Sequence, residues 1–599
     1  MSIVNKMKPL VLTALKNLYG HDFAEKDLTI NQTKPEFEGD YTLVLFSFVK
    51  QLRKSPEQLG NEIGEYLVKN NKELFTSYNV IKGFLNLLVA DNYWTGFLQA
   101  SYADQTIGHQ PSNGKRVIVE YSSPNTNKPL HLGHLRNNFL GWSVAEILKV
   151  TGHTVFKTAI MNDRGIHICK SMVAWLQFGE GKTPESEGIK GDHFVGDYYV
   201  LFGQEHKKEV EKLIADGMSK DDAEKKAPIM QAAQQMLIDW ERGEPEVRNL
   251  WQKMNGWVYE GFNETYKKIG SDFDKNYFES DTYLLGKEFV EDGLQKGVFY
   301  KKEDGSVWID LTADGLDEKI VQRKDGTSVY ITQDLGLANQ KFEEFHYDES
   351  FYVIADEQNY HMKVLKLILQ KLNKPYAEGI YHLSYGLVEL PTGRMKTREG
   401  TVVDADDIIE ELKKVAREKT EELGKVKDFN PGELNELYDT IALGALKFFL
   451  LRVDPKKRMV FNPEESIDFH GFTGPFIQFI HARIKSILRK ERAVGGQQLV
   501  IGGLPAGQAG LLPKEKELIV LLEQYPSIIA QALLEHNPSS LAVYIYEVAK
   551  TFSSFYTDHS VLSAESEEKK QLRLQLCELT ANIIASAMNL LGIKVPERM

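Results

Sequence analysis

The sequence predicts an α/β protein built on a doubly wound parallel sheet, preceded by a small α/β module and followed by a helical bundle. Short β-branched and aromatic runs at 116–121, 307–311, 351–355 and 380–384 alternate with helical stretches. This alternation is typical of parallel strands joined by crossover helices. Strand-like runs largely disappear after about residue 463. The first 112 residues have a shorter, separate pattern of strands and helices.

The N-terminal module is predicted to span residues 1–112. Ser55, Pro56 and Gln58 have the types and spacing of an N-cap, a first-turn proline and a capping-box partner, so we expect a helix through Leu67. The apolar run at 84–89 predicts a strand. Residues 108–114, rich in Gly, Pro, Ser and Asn, predict a linker to the next domain.

The central domain is predicted at 115–462, with a charged, helix-rich insertion at about 180–246, and the helical domain at 463–599. Apolar residues between Leu541 and Phe555 fall at helical spacing and predict one buried stripe. Tyr544 and Phe555 belong to that stripe, so we expect them in the core rather than stacked on nucleic-acid bases.

The most informative segment is 120–137, EYSSPNTNKPLHLGHLRN, where a strand, a loop and a helix start surround His131 and His134. A helix N-terminus presents free backbone N–H groups and the positive end of the helix dipole, which favour phosphate. Gly133 would allow a nucleotide to approach the backbone, and imidazoles three residues apart can donate to phosphate oxygens. A single buried histidine is more often a core residue than a ligand, but this pair predicts an ATP site.

Several motifs carry a family resemblance, in an order and spacing that span nearly the whole chain. The segment SSPNTNKPLHLGH resembles the first signature of class I aminoacyl-tRNA synthetases in its arginyl form. The later segments are similar to that family as well: VYITQD at 329–334, RMKTREGTV at 394–402, TGPFIQFIHARIKSILRK at 473–490 and the ending VPERM. The resemblance implies a Rossmann-like catalytic domain that uses ATP, with Mg2+, to attach L-arginine to tRNA(Arg) through an arginyl-adenylate.

The same resemblance assigns the outer domains. It implies that the N-terminal module contacts the outer corner of the tRNA and that the C-terminal helical domain binds the anticodon.

For the phosphates, the resemblance implies His131, Gly133 and His134, together with a loop related to the KMSKS motif of class I enzymes. That loop here includes Met395, Lys396 and Arg398, and it leaves the second lysine of the motif without a clear match. Arginyl enzymes commonly carry a lysine just before the HxGH instead, and Lys128 occupies that place. The relative roles of Lys128 and Lys396 stay open.

For arginine, the site needs carboxylates, because a guanidinium is planar, always charged and offers five donors. The resemblance places the acids Glu120 and Asp334 in that pocket. Tyr330 lies four residues before Asp334 on the same helical face. Asn125 and Gln358 are then expected to hold the α-amino and carboxylate groups.

The net charge of −13 argues against indiscriminate coating of nucleic acid, yet a local basic face remains compatible with it. Between Lys447 and Arg492 there are ten Lys or Arg and five Asp or Glu, which gives +5. Arg483, Lys485 and Arg489 in this window are the expected tRNA contacts. A solvated surface with scattered lysines explains the charge alone equally well.

Composition sets the remaining expectations. Cys169 and Cys577 lie far apart without metal-ligand spacing, so neither a disulfide, zinc nor another protein-bound metal is expected. No apolar run approaches 18 residues, and no signal peptide is recognisable. We therefore expect a cytoplasmic protein without membrane association. A monomer is expected as well, although composition does not determine the oligomeric state.

Two other functions deserve comparison. A small-molecule adenylyltransferase shares the HxGH on a similar fold, but it has no use for roughly 140 C-terminal helical residues. A catalytically dead tRNA-binding paralogue would not need Lys128, His131, Gly133, His134 and Asp334 together.

Overall fold

The computed structural model describes residues 2–34, 36–389, 403–422, 424, 428–493 and 510–599. The predicted loop residues Met395, Lys396 and Arg398 lie outside the described residues. Cys169 and Cys577 are both buried and free.

The N-terminal module contains four helices and a four-stranded antiparallel sheet. Its elements are α1 (Ile3–Tyr19), β1 (Ile30–Gln32), β2 (Tyr41–Val44), α2 (Phe46–Leu52), α3 (Pro56–Asn70), β3 (Phe75–Ile81), β4 (Phe84–Val89) and α4 (Asp91–Ser101). The strand order is β1-β2-β4-β3. The predicted capping box is confirmed, because the Gln58 N–H donates to Ser55 Oγ at 3.2 Å. The helix continues past Leu67 to Asn70.

The central region alternates strands and helices as predicted. Its elements are β5 (Arg116–Glu120), α5 (Leu132–Val150), β6 (Thr154–Met161), α6 (Ile166–Phe178), α7 (Pro184–Glu187), α8 (Gly191–Ala215), α9 (Lys220–Lys226), α10 (Pro228–Arg242), α11 (Pro245–Ile269), β7 (Lys275–Phe278), α12 (Glu279–Thr282), α13 (Lys287–Gln295), β8 (Tyr300–Lys301), β9 (Val307–Ile309), β10 (Lys319–Gln322), α14 (Tyr330–Phe345), β11 (Glu349–Ala355), α15 (Asn359–Lys371), β12 (Ile380–Tyr385), β13 (Val388–Glu389), α16 (Ala405–Glu422), α17 (Pro431–Leu451) and β14 (Met459–Val460).

Five of these strands form a fully parallel sheet in the order β12-β11-β5-β6-β7. After β5 the chain adds β6 and then β7 on one side of β5. It later adds β11 and then β12 on the opposite side of β5. The strand order therefore reverses between β5 and β11. Ligands of doubly wound proteins bind at the carboxyl ends of the strands beside such a reversal.

The predicted strand at 307–311 does not belong to this sheet, so its assignment there is wrong. β9 pairs antiparallel with both β8 and β10 in a separate three-stranded sheet. Short connections between consecutive strands permit only antiparallel pairing, because a parallel pair needs a long crossover. Helices α6 to α11 occupy the chain between β6 and β7. The insertion predicted at about 180–246 lies within this stretch, and its bounds stay a prediction.

In the C-terminal domain, all secondary-structure elements among the described residues are helices. Its helices are α18 (Pro463–Ser466), α19 (Gly474–Ala493), α20 (Pro513–Glu523), α21 (Tyr525–Glu535), α22 (Ser539–Asp558) and α23 (Glu567–Leu590). Tyr544 and Phe555 are buried, as predicted for core positions.

The stretch Pro513–Glu535 is long and apolar enough, by length and composition, to cross a membrane. A buried core helix passes the same test, and here the stretch divides into α20 and α21. Glu515 in α20 is fully buried and pairs with Lys569 at 2.6 Å and Arg573 at 2.8 Å, both on α23. These contacts are those of a helix inside a protein bundle.

Candidate active site

The loop after β5 lies at the reversal point of the parallel sheet and has a strained backbone. Ser122 and Ser123 adopt φ values of 72° and 47°, a region that residues other than glycine rarely occupy. Helix α5 holds this turn, because Asn137 Oδ1 accepts the Ser122 N–H at 2.5 Å and Asn138 Nδ2 donates to Ser122 Oγ at 3.1 Å. Strain that neighbouring groups maintain in this way is a common feature of functional sites.

The two predicted histidines cap the start of α5. The Gly133 N–H donates to His131 Nδ1, and the His131 N–H donates to His134 Nδ1, each at 3.1 Å. A neutral imidazole whose Nδ1 accepts must carry its proton on Nε2. Both rings therefore have an Nε2–H that is not used in the cap. The Gly133 N–H itself is used in the cap, because His131 Nδ1 accepts it.

Gly133 is required by the histidine cap itself. A Cβ at this position would lie 3.0 Å from Cε1 and 3.1 Å from Nδ1 of His131. These separations are tighter than ordinary van der Waals contacts, so a larger residue would displace the ring.

Both histidines are neutral at neutral pH. Burial, reinforced by the nearby charge of Lys128, lowers the pKa of His131 to about 3. Burial also lowers the pKa of His134 well below its usual value, with smaller effects of His131 and Lys128. The pair can thus donate hydrogen bonds to an anion but brings no positive charge.

A cavity of about 930 Å3 at the carboxyl ends of β5 and β11 collects most of the predicted site. Seven predicted residues line it: Glu120, His131, Gly133, His134, Tyr330, Asp334 and Gln358. Asn125 instead lines an adjoining cavity of about 840 Å3, which shares Asn162 and Tyr330 with the first. Lys128 lines a third cavity of about 500 Å3.

Asp334 and Tyr330 lie one turn apart at the start of α14, as predicted. Tyr330 is the first residue of the helix and is 74% exposed. The Asp334 carboxylate accepts a hydrogen bond from Nε2 of His361 at 2.6 Å. Gln358 is exposed at the end of a 3-10 turn before α15.

Glu120 lies at the end of β5 and is buried. Its Oε2 accepts a short hydrogen bond from the ammonium group of Lys341, which is itself fully buried on α14. The ammonium also lies 4.6 Å from the ring centroid of Tyr352. The charge of Glu120 is therefore compensated within the protein, whereas its assignment to arginine stays a prediction.

Glu279 is a candidate that sequence reasoning missed. It directly follows β7 and lines the 840 Å3 cavity together with Tyr330. The pKa of Glu279 is raised to about 7: burial is the largest cause, the charge of Arg164 opposes it, and the charges of Asp163 and Asp334 add smaller increases. The sequence offered one signal, namely an acid at the carboxyl end of a sheet strand, but β7 is short and was not recognised.

Lys128 is a partly buried cation beside the histidines. Its ammonium forms no hydrogen bond or ion pair within the described part of the chain, and burial lowers its pKa. Its charge acts on both His131 and His134. A desolvated cation of this kind gains from any anion that enters the site.

A cluster of ionic side chains ties the helical insertion to the histidine segment. Lys190 Nζ lies 2.6 Å from Asp406 and 3.1 Å from Asp192, and His193 lies 3.2 Å from Asp406. Asp404 pairs through its backbone with His131. Asp192, His193 and Asp406 have the chemistry of metal ligands, but the Lys190 ammonium already occupies the cationic position among the carboxylates.

The basic residues predicted on α19 are partly engaged with the C-terminal tail. Lys485 lies 3.4 Å from the Glu597 carboxylate, and the Arg489 guanidinium donates to the Glu597 carbonyl at 2.7 Å. Arg483 lies 4.6 Å from the ring centroid of Phe479. Lys485 and Arg489, four residues apart, thus share the helix face that meets the tail, whereas Arg483 lies on another face of α19.

A parallel sheet with a paired-histidine helix start at its reversal point is the arrangement expected of a class I synthetase, and comparison with known proteins establishes that class. Residues 98–462 match the family described as tRNA synthetases class I (R), catalytic domain. Residues 5–89 match the arginyl tRNA synthetase N terminal domain, and residues 477–599 match the DALR anticodon binding domain. The chain therefore belongs to the arginyl-tRNA synthetase family.

Individual relatives agree with this assignment over their full length. The arginine--tRNA ligase of Bacteroides fragilis (strain YCH46) is 51% identical over 601 residues, with both chains fully covered. That of Flavobacterium psychrophilum is 51% identical over 612 residues, again with both chains fully covered. The solved structure of Thermus thermophilus arginyl-tRNA synthetase superposes with a TM-score of 0.81 at 25% identity, with full coverage of both chains.

Proposed function

We propose that the chain joins L-arginine to tRNA(Arg) in two steps. The arginine carboxylate first attacks the α-phosphorus of ATP, forming arginyl-adenylate and releasing pyrophosphate. A hydroxyl at the 3′ end of the tRNA then attacks the activated carbonyl, and AMP leaves. One arrangement supports this function: a single cavity carries neutral N–H donors at the start of α5 and a carboxylate on α14.

The donors are assigned to ATP. His131 and His134 direct Nε2–H groups to the phosphates without adding charge, and Lys128 supplies the positive charge that the phosphates need as pyrophosphate leaves. Met395, Lys396 and Arg398 remain proposed contacts on the loop outside the described residues. Mg2+ is proposed to enter with ATP, bound to phosphate oxygens.

The acids are assigned to arginine. Asp334 and Glu279 influence each other electrostatically and share Tyr330 as a neighbour. A guanidinium between them would satisfy both carboxylates, because its planar fork offers donors in several directions. Asn125 and Gln358 remain assigned to the α-amino and carboxylate groups. Glu120, whose charge is paired with Lys341, remains assigned to the arginine pocket as a further acid.

The tRNA is assigned to three regions. Its 3′ end would enter the 840 Å3 cavity, which adjoins the arginine site through Asn162 and Tyr330. Residues 463–599, with Arg483, Lys485 and Arg489 on one helix, would bind the anticodon arm. Residues 1–112 would contact the outer corner of the tRNA, while 115–462 carry out the chemistry.

The chain is also proposed to act as a cytoplasmic monomer without membrane association or zinc. Light scattering at about micromolar concentration tests the monomer, and metal analysis of the purified protein tests the absence of zinc.

ATP–pyrophosphate exchange with each of the twenty amino acids, with and without tRNA, tests the proposed function. We expect exchange with arginine alone and its dependence on tRNA(Arg), followed by transfer of labelled arginine to that tRNA. Exchange without any amino acid, as a small-molecule adenylyltransferase could show, would contradict the proposal. So would tRNA binding without exchange.

A further inference from the structure

His361 contacts the carboxylate that is assigned to arginine, although neither the motifs nor the resemblance singled it out. Its Nε2 lies 2.6 Å from Asp334 Oδ2, and the bond joins α15 to α14 across the cavity wall. A carboxylate can only accept here, so Nε2 must carry the donated proton. The distance is that of a strong, charge-assisted hydrogen bond.

This bond restricts a side chain that would otherwise be mobile. The Asp334 side chain is 39% exposed and faces the open cavity, so its terminal torsion has little else to fix it. His361 itself is well anchored, because its neighbours Met362 and Leu365 on α15 are buried in the core. The hydrogen bond therefore transfers the rigidity of α15 to the Asp334 carboxylate.

The bond does not depend on one protonation state of His361. The contact with Asp334 raises the pKa of His361, against the opposing effect of burial. Both the imidazolium and the neutral Nε2–H tautomer donate to Oδ2. Orientation of Asp334 is thus maintained on either side of the titration of His361.

We infer that His361 is a positioning residue for arginine selection: it holds Asp334 Oδ2 so that Oδ1 is presented to the guanidinium. This rests on the proposed function, in which Asp334 is a guanidinium acceptor. A guanidinium binds most strongly to acceptors that are held at fixed angles, because its own N–H groups are rigidly arranged. An ammonium has no such requirement, so fixing the carboxylate favours arginine over lysine.

Three substitutions of His361 separate its hydrogen bond from its shape. The amide nitrogen of His361→Gln can occupy the place of Nε2 and donate to Asp334. The amide nitrogen of His361→Asn corresponds in position to Nδ1, so this side chain is too short to reach Asp334. His361→Leu has no hydrogen-bond donor. We expect His361→Leu and His361→Asn to raise the KM for arginine about tenfold in ATP–pyrophosphate exchange. The KM of His361→Gln should stay within about threefold of the wild-type value.

The effect should be confined to arginine. The KM for ATP and the kcat at saturating arginine should change by no more than about twofold in all three variants. Preference for arginine over lysine, measured as the ratio of kcat/KM values, should fall in Leu and Asn and be retained in Gln. Thermal unfolding of each variant checks that the fold is intact.

Several results would overturn the inference. The inference is wrong if His361→Gln raises the KM for arginine as much as His361→Leu and His361→Asn do, because His361 then acts through its shape. It is also wrong if none of the three changes the KM for arginine, or if the KM for ATP rises in parallel.

Asp334→Asn, measured alongside, separates this inference from the proposed function. If Asp334→Asn raises the KM for arginine while the His361 variants do not, only the positioning role fails. If Asp334→Asn leaves the KM unchanged, the assignment of Asp334 fails as well. In the double variant with His361→Leu, the two effects should not add, because both act on the same contact.

Discussion

Lowering the pH from about 8 to about 6 should weaken the use of arginine, because it protonates Glu279. Burial raises the pKa of this carboxyl to about 7, so it titrates in the physiological range rather than near its ordinary value. The ionised carboxylate attracts a guanidinium, whereas the protonated form does not. Arginine binding and ionisation of Glu279 therefore favour each other, and the loss must occur as the pH falls.

The magnitude follows from the ionised fraction. With a pKa of about 7, roughly nine tenths of Glu279 is ionised at about pH 8 and roughly one tenth at about pH 6. The kcat/KM for arginine should thus fall about tenfold, which is about 1.4 kcal/mol. His361, whose pKa is also raised, adds a smaller loss in the same direction because its protonated form repels the substrate.

The assay is ATP–pyrophosphate exchange at subsaturating arginine, with tRNA present, across this pH range. Glu279→Gln should have a lower kcat/KM at about pH 8 and a much flatter profile, while the KM for ATP changes little in either protein. Asp325→Asn, which removes another acid of the same cavity, should keep the wild-type profile. A flat wild-type profile, or an unchanged slope in Glu279→Gln, would refute the assignment of Glu279 to the guanidinium.

Four further predictions concern single substitutions. Lys128→Met should lower the rate of adenylate formation about 100-fold with ATP affinity changed only several-fold; a near-wild-type single-turnover rate would contradict this. Gly133→Ala should lower kcat for exchange by about tenfold, because its Cβ displaces the His131 ring; unchanged kinetics would mean that the ring adapts. Asp334→Ala should reduce kcat/KM for arginine by about 3 kcal/mol and leave the KM for ATP unchanged; equal losses for both substrates would remove it from the pocket. Charge reversal at Arg483 should raise the KM for tRNA and flatten its salt dependence; an unaltered salt slope would mark a solvated face.

The sequence predicted best those features that are local in the chain. The strand before His131, the helix after it and the turn that joins Tyr330 to Asp334 each depend on neighbours within a few residues, and the structure confirms their placement. Their gathering around one cavity follows from the strand order, which alternation of elements indicates only in outline.

Features that depend on tertiary contacts were missed or misassigned. His361 reaches Asp334 from another helix, and Lys341 reaches Glu120 across 221 residues of chain, so no spacing rule could reveal either pair. β9 has the composition of a buried strand, but pairing with its immediate neighbours, rather than composition, decides to which sheet it belongs. The close contact between Gly133 and the His131 ring depends on the geometry of the cap, which the sequence does not give, and the expected approach of a nucleotide to Gly133 stays a prediction.

In the proposed mechanism, the neutral histidines and the charged lysine have different tasks at the phosphates. His131 and His134 are neutral, so they can orient the phosphates but cannot balance charge that develops as pyrophosphate leaves. In the proposed mechanism Lys128 supplies that charge; its ammonium is partly desolvated and has no partner among the described residues. An unpaired cation is least stable before ATP binds and most stabilised when negative charge on the phosphates is greatest. It therefore favours the transition state over the bound ground state, which is the condition for raising kcat rather than lowering KM.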